Sequence, residues 1–78
     1  MKIEILGTGC AKCKALEEVT KQAVAQLGGF HQVVKVDDIM EIMKYNVVST
    51  PALVVDGIVK STGKLLSETE VLEMLKAN

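Results

Sequence analysis

The sequence predicts an α/β domain with the element order β-α-β-α-β-β-α, one mixed four-stranded sheet flanked by helices. Three observations carry this. Short alternating or Val-rich runs change places with longer stretches of helical period. A single Asp56-Gly57 pair stands between two apolar runs, which is the signal of a two-residue hairpin. Two acid-containing capping patterns, Asp38 with Glu41 and Ser67 with Glu70, mark where later helices begin.

The elements follow in order. Lys2 to Leu6 alternates, with Ile3 and Ile5 on one face, and ends at Gly7-Thr8-Gly9, so it reads as a strand. Ala11 to Leu27 has neither Gly nor Pro. Cys13, Leu16, Thr20, Val24 and Leu27 recur at helical spacing, and Lys14, Glu17, Glu18, Lys21 and Gln22 take the remaining surface. Gly28-Gly29 ends that amphipathic helix. Gln32 to Val36 is a second strand. Asp38 with Glu41 then predicts a capping box, and Ile39, Met40, Ile42 and Met43 predict two turns of helix that stop near Asn46. Ala52 to Val55 and Ile58 to Lys60 flank the hairpin. Ser67 with Glu70 opens the last helix, with Leu66 and Val71 placed as a hydrophobic staple and Val71, Leu72 and Leu75 facing inward. A strand, a crossover helix and a strand make a right-handed parallel pair. The hairpin adds two antiparallel strands, for an expected strand order of 2-1-3-4. Residues 1–78 are expected to form one domain.

Composition narrows the function classes. Of 78 residues, 49% are apolar, yet Phe30 and Tyr45 are the only aromatics, so the core must be aliphatic. Nine basic and ten acidic residues give a net charge of -1 without a basic stripe, which excludes a phosphate-neutralising nucleic-acid protein. No run approaches the roughly 20 apolar residues of a membrane span, and residues 1–7 carry charge where a secretory leader would be apolar. The expectation is a cytoplasmic monomer that touches neither membrane nor nucleic acid.

Both cysteines lie in one Cys-x-x-Cys, Cys10 and Cys13, with Ala11 and Lys12 between. A bridge so short closes almost no loop and stabilises little, so its purpose is chemical. Cys10 falls at the junction of the first strand and the long helix. Unpaired N–H groups and the positive end of the helix dipole meet there, and Lys12 and Lys14 add positive charge, all favouring a thiolate. Cys13 shares the inward helix face with Leu16. An exposed nucleophile beside a shielded partner suits dithiol exchange: Cys10 attacks a substrate disulfide and Cys13 resolves the mixed disulfide. The same two thiolates also suit Cu(I), as in small heavy-metal-associated carrier domains. Against that reading, Gly7-Thr8-Gly9 has no methionine before Cys10, and such domains run β-α-β-β-α-β and finish on a strand. Two cysteines exclude a four-thiolate zinc site within the chain.

Pro51 is the only proline and stands where the third strand begins. Gly7-Thr8-Gly9-Cys10-Ala11-Lys12-Cys13, then Val48-Ser49-Thr50-Pro51-Ala52-Leu53-Val54-Val55-Asp56-Gly57, then Gly63 and a terminal helix, resemble the thioredoxin fold along essentially the whole chain. The likeness is to the small thioredoxin-like or glutaredoxin-like proteins known as redox-active disulfide protein 2. It implies a thiol–disulfide oxidoreductase whose redox-active Cys10–Cys13 disulfide needs no other cofactor. It also implies a cis Thr50–Pro51 bond beside the cysteines, with Thr50, Pro51, Ala11 and Lys12 bordering a groove for an extended substrate strand. Substrates would be disulfide-containing proteins, and electrons would come from a thioredoxin-reductase-type donor. The chain departs from typical thioredoxins in having Gly9 before the first cysteine instead of an aromatic residue, and Ala11-Lys12 instead of Gly-Pro. The buried acid near the resolving cysteine has no clear counterpart, and Ser61-Thr62-Gly63-Lys64 replaces the Gly-Gly-x-Asp of glutathione-binding glutaredoxins.

The remaining residues read more plainly. His31 is expected at a strand edge on the surface, and Met40 and Met43 as gap-filling core residues. Tyr45 either caps the core or borders the groove.

Overall fold

The computed structural model describes residues 1–77. Its elements are β1 (Lys2–Leu6), α1 (Ala11–Leu27), β2 (Gln32–Val36), α2 (Ile39–Met43), β3 (Ala52–Val55), β4 (Ile58–Thr62) and α3 (Glu68–Lys76). They build one four-stranded sheet in the order β2-β1-β3-β4. β1 pairs in parallel with β2 and antiparallel with β3, which in turn pairs antiparallel with β4.

Alternation along the central strands divides the core into two layers. Ile3 and Ile5 of β1 and Leu53 and Val55 of β3 face α1 and α3, where they pack with Leu16, Ala23, Leu66, Val71 and Leu75. Leu6, Ala52 and Val54 face the other way, against Ile42 of α2, with Tyr45, Val36, Val47 and Val59 around them. The buried positions of α1 are Cys13, Leu16, Thr20 and Ala23. The expected stripe through Val24 and Leu27 is thus shifted: Ala23 is the fully buried one, while Val24 and Leu27 flank the core half-buried. Thr20 is tolerated inside because its hydroxyl donates to the Leu16 carbonyl at 2.7 Å.

Local chemistry fixes the ends. Asp56 (φ 49°) and Gly57 (φ 84°) both take the left-handed backbone of a type I′ turn. Asp56 also ties the hairpin to β1, its backbone N–H donating to Lys2 O at 2.8 Å and its Oδ1 accepting from Lys2 N–H at 2.8 Å. Beyond the turn, β4 runs two residues further than expected, to Thr62. Val54 pairs with Val59 but Leu53 with Ser61, so the ladder passes over Lys60 as a bulge. That extra residue shifts the alternation and hides Ser61 and Thr62 as strand residues.

Two expectations for α2 are corrected. Asp38 caps the helix through Met40 N–H at 2.9 Å, but Glu41 turns outward to Lys44 Nζ at 3.1 Å, so no capping box closes. Met40 and Met43 lie 66% and 61% exposed, not in the core, because a five-residue helix offers one inward position and Ile42 fills it. After Met43 the chain tightens into turns that end at Asn46, with φ 58°. His31 lies where expected, partly exposed just before the edge strand β2, and there it ties two segments together. Its Nε2 lies 2.8 Å from Gly28 O, which can only accept, so Nδ1 accepts from the terminal ammonium of Met1 at 3.1 Å.

α3 begins with a complete capping box. Ser67 Oγ accepts from Glu70 N–H at 3.1 Å, and Glu70 Oε1 accepts from Ser67 N–H at 2.9 Å. The bond from the Ser67 backbone, then that from its side chain, hold the Glu70 carboxyl below its ordinary value of 4.5. A depressed carboxylate contributes stability that is present above the unfolded value and lost as pH falls through the lower folded one. Apart from that titration, Ser67→Ala removes the N-cap acceptor of Glu70 N–H and should cost about 1 kcal/mol. The melting-temperature gap between Glu70→Gln and the parent chain should narrow as thermal unfolding is followed from pH 6 to below 4.

Candidate active site

The topology brings two loops to one edge of the sheet. Leu6, the last residue of β1, pairs with Ala52, the first of β3. The loop leaving β1 toward the cysteines therefore lies beside the loop that enters β3 through Thr50 and Pro51. The Thr50–Pro51 peptide bond is cis. Pro51 is buried and Thr50 exposed, and the Pro51 carbonyl accepts from Gly63 N–H at 2.8 Å, which anchors this loop to the end of β4. An ideal side chain on Gly7 would meet Cys13 on one side and, at 4.0 Å, Thr50 Cβ on the other, so these three residues converge.

Cys10 and Cys13 form a disulfide with their Cα atoms 5.0 Å apart. Cys10 is the N-cap of α1, with extended backbone (φ -69°, ψ 165°), and its Sγ accepts from Cys13 N–H at 3.1 Å. Its carbonyl already accepts the first helical bond, from Lys14 N–H at 3.1 Å. The first turn of α1 carries no acid, so nothing there opposes negative charge on the cap sulfur. The two sulfurs differ in access: Cys10 is exposed, whereas Cys13 is 3% exposed and packed on the inward face with Leu16. Ala11 and Lys12 are exposed on that first turn. All six residues singled out in the sequence thus lie on the two neighbouring loops and the first turn of α1. A concavity of about 460 Å³ between β4 and α3, lined among others by Ser61, Lys64 and Glu70, includes none of them.

An exposed N-cap sulfur bridged to a buried one, beside a cis-proline loop, has a counterpart in known proteins. The thioredoxin domain model matches residues 1–76. The chain belongs to the thioredoxin family. It is 37% identical over 75 residues to a thioredoxin of Methanothermobacter thermautotrophicus, covering 96% of this chain and 97% of that one. It is 41% identical over 75 residues to a thioredoxin of Methanocaldococcus jannaschii, covering 96% and 86%. With the Cys-x-x-Cys joined as a disulfide, this family member is a thiol–disulfide oxidoreductase. The match, running through the helix that closes the fold, does not favour the soft-metal carrier. Among the described residues no helix is long and apolar enough to cross a membrane.

One feature of this thioredoxin-family chain was not legible beforehand. An acid is buried in the sheet, on the α2 side: Glu4, at the middle of β1, is 8% exposed and accepts from the Tyr45 hydroxyl at 2.8 Å. The signal was present, an acid between Ile3 and Ile5 in a strand paired on both sides, but its partner lies 41 residues away. The bond ties the turn after α2 to the central strand and settles Tyr45 as a residue that closes the α2-side core. The hydrogen bond to Glu4, with burial and the Glu4 charge behind it, raises the Tyr45 phenol above 10.0. Stability from this pair is complete below the unfolded value and is lost as pH rises through the higher folded one. Tyr45 is the sole tyrosine and tryptophan is absent, so an absorbance titration reads it alone and should give a midpoint above 10.0. Tyr45→Phe leaves the Glu4 carboxylate short of a donor and should cost about 1–3 kcal/mol in denaturant unfolding.

Proposed function

We infer that the chain is a reductant of protein disulfides, with Cys10 as nucleophile and Cys13 as resolving cysteine. One observation supports the roles above the rest: Cys10 is open at the helix N-terminus while its bonded partner is 3% exposed. Reduction of the pair frees the Cys10 sulfur, which keeps the Cys13 N–H and the helix dipole as stabilisers of a thiolate. That thiolate attacks one sulfur of R–S–S–R′, forming Cys10–S–S–R and releasing R′–S⁻. Cys13, deprotonated in turn, attacks the Cys10 sulfur. The bond to R breaks, the Cys10–Cys13 disulfide forms, and R–S⁻ leaves. Two electrons pass to the substrate; the proton shed by Cys13 and one from solvent convert the two leaving thiolates to thiols. Cys13 is too enclosed to meet a large substrate, which keeps the order of events fixed.

Thr50 and Pro51, with Ala11 and Lys12 opposite, form the groove in which an extended segment flanking the substrate disulfide lies. Proline puts no N–H against the sulfurs, and exposed Thr50 is placed to meet a strand-like peptide. The Cys10–Cys13 pair is itself the carrier of electrons, so no further cofactor is needed, and a thioredoxin-reductase-type flavoprotein returns the disulfide to the dithiol. The chain acts as a monomer in the cytoplasm, where thiols are held reduced.

Cys13→Ser tests the assignment. Incubated with a disulfide-bonded protein such as insulin, it should accumulate a mixed disulfide on Cys10 that dithiothreitol releases, whereas Cys10→Ser should trap nothing. Trapping through Cys13 in the Cys10→Ser chain would reverse the roles. No trapping by either, with stoichiometric Cu(I) held by the reduced parent chain, would return the carrier reading.

A further inference from the structure

We propose that Gly7 is a positioning residue for the resolving cysteine: its missing side chain is the space that Cys13 Sγ occupies in the disulfide. The proposal rests on the role given to Cys13 above. Six glycines occur in the chain. Five of them, Gly9, Gly28, Gly29, Gly57 and Gly63, have left-handed φ, which alone accounts for glycine. Gly7 does not, so a left-handed backbone is not what calls for glycine there. What it lacks is room. A Cβ built on Gly7 overlaps Cys13 Sγ and comes 3.1 Å from Cys13 Cβ.

Neither side can yield easily. Gly7 is buried, and its N–H donates to Val36 O at 2.9 Å, extending the β1–β2 pairing past the end of β1. Cys13 is held by α1, by its bond to Cys10 and by its N–H on Cys10 Sγ, and it is 3% exposed. The two parts of the conflict differ in their redox dependence. The Cβ–Cβ approach is set by the backbone and is common to both states. The Sγ overlap belongs to the state in which Sγ is tied to Cys10, since in the dithiol the Cys13 side chain can turn to another rotamer. A methyl group at position 7 therefore disfavours the disulfide relative to the dithiol and hinders the approach of Cys13 to a Cys10 mixed disulfide.

The test is the exchange equilibrium with dithiothreitol, in which the chain disulfide and the reagent dithiol become the chain dithiol and the cyclic reagent disulfide, two electrons and two protons changing places. Gly7→Ala should shift this equilibrium toward the chain dithiol by about tenfold, equivalent to about 30 mV for a two-electron couple. Its Cys10 mixed disulfide should also persist longer than that of the parent. Unchanged equilibrium and lifetime, or equal loss of thermal stability in both redox states, would overturn the proposal. Should Gly7→Ala fold poorly, the same substitution in a Cys13→Ala chain, which has no Sγ, decides: it should cost clearly less stability there than in the oxidised parent, and an equal cost would overturn the proposal. A parent chain without a reversible couple would instead remove the reading on which this rests, and the proposal with it.

Discussion

Everything at the sulfur site depends on one strand being paired on both sides. β1 is held in parallel register by β2 and antiparallel register by β3, with apolar residues on both of its faces. Because β2 is reached through α1, a helix must begin within a few residues of the end of β1. Because β3 is antiparallel, its first residue must lie at that same end. The Cys-x-x-Cys and the Thr50–Pro51 loop become neighbours through these two pairings, with no direct hydrogen bond between them needed to explain it. The Tyr45–Glu4 bond and the Gly63–Pro51 bond then fix the segments on either side of the proline loop to β1 and β4.

The chemistry follows from where α1 starts. A cysteine at an N-cap performs two functions with one atom: it satisfies a helix N–H that would otherwise lack a partner, and it carries the reactive sulfur. Three residues later the helix has turned the second sulfur inward. The spacing of the motif and the pitch of the helix thus create the inequality of the two sulfurs, and no other ionisable side chain is required for it.

Much of this could be read from the residues because the deciding interactions are local. The Asp56-Gly57 turn, the Ser67–Glu70 box and the start of α1 at Cys10 depend on backbone preferences within four residues, and they lie where the sequence puts them. The order of strands followed from connection rules acting on those elements. What was hidden depends on contacts distant in sequence or on the size of a layer. The Lys60 bulge is imposed by pairing with β3, and the burial of Glu4 by a tyrosine beyond α2. Met40 and Met43 have the hydrophobicity of core residues, but the single turn of α2 leaves them outside. Gly7 looked like turn punctuation and is instead a contact surface for sulfur.

The most direct test of the whole account is a redox titration of the parent chain in metal-free buffers of graded glutathione poise, with the alkylation state of each cysteine read by mass spectrometry. The account predicts one two-electron transition in which Cys10 and Cys13 lose reactivity together, at a potential more reducing than about -200 mV. It also predicts that Cys10 is the faster of the two to alkylate in the reduced chain. Separate titration of the two cysteines, each capped by glutathione with no internal disulfide, would contradict it.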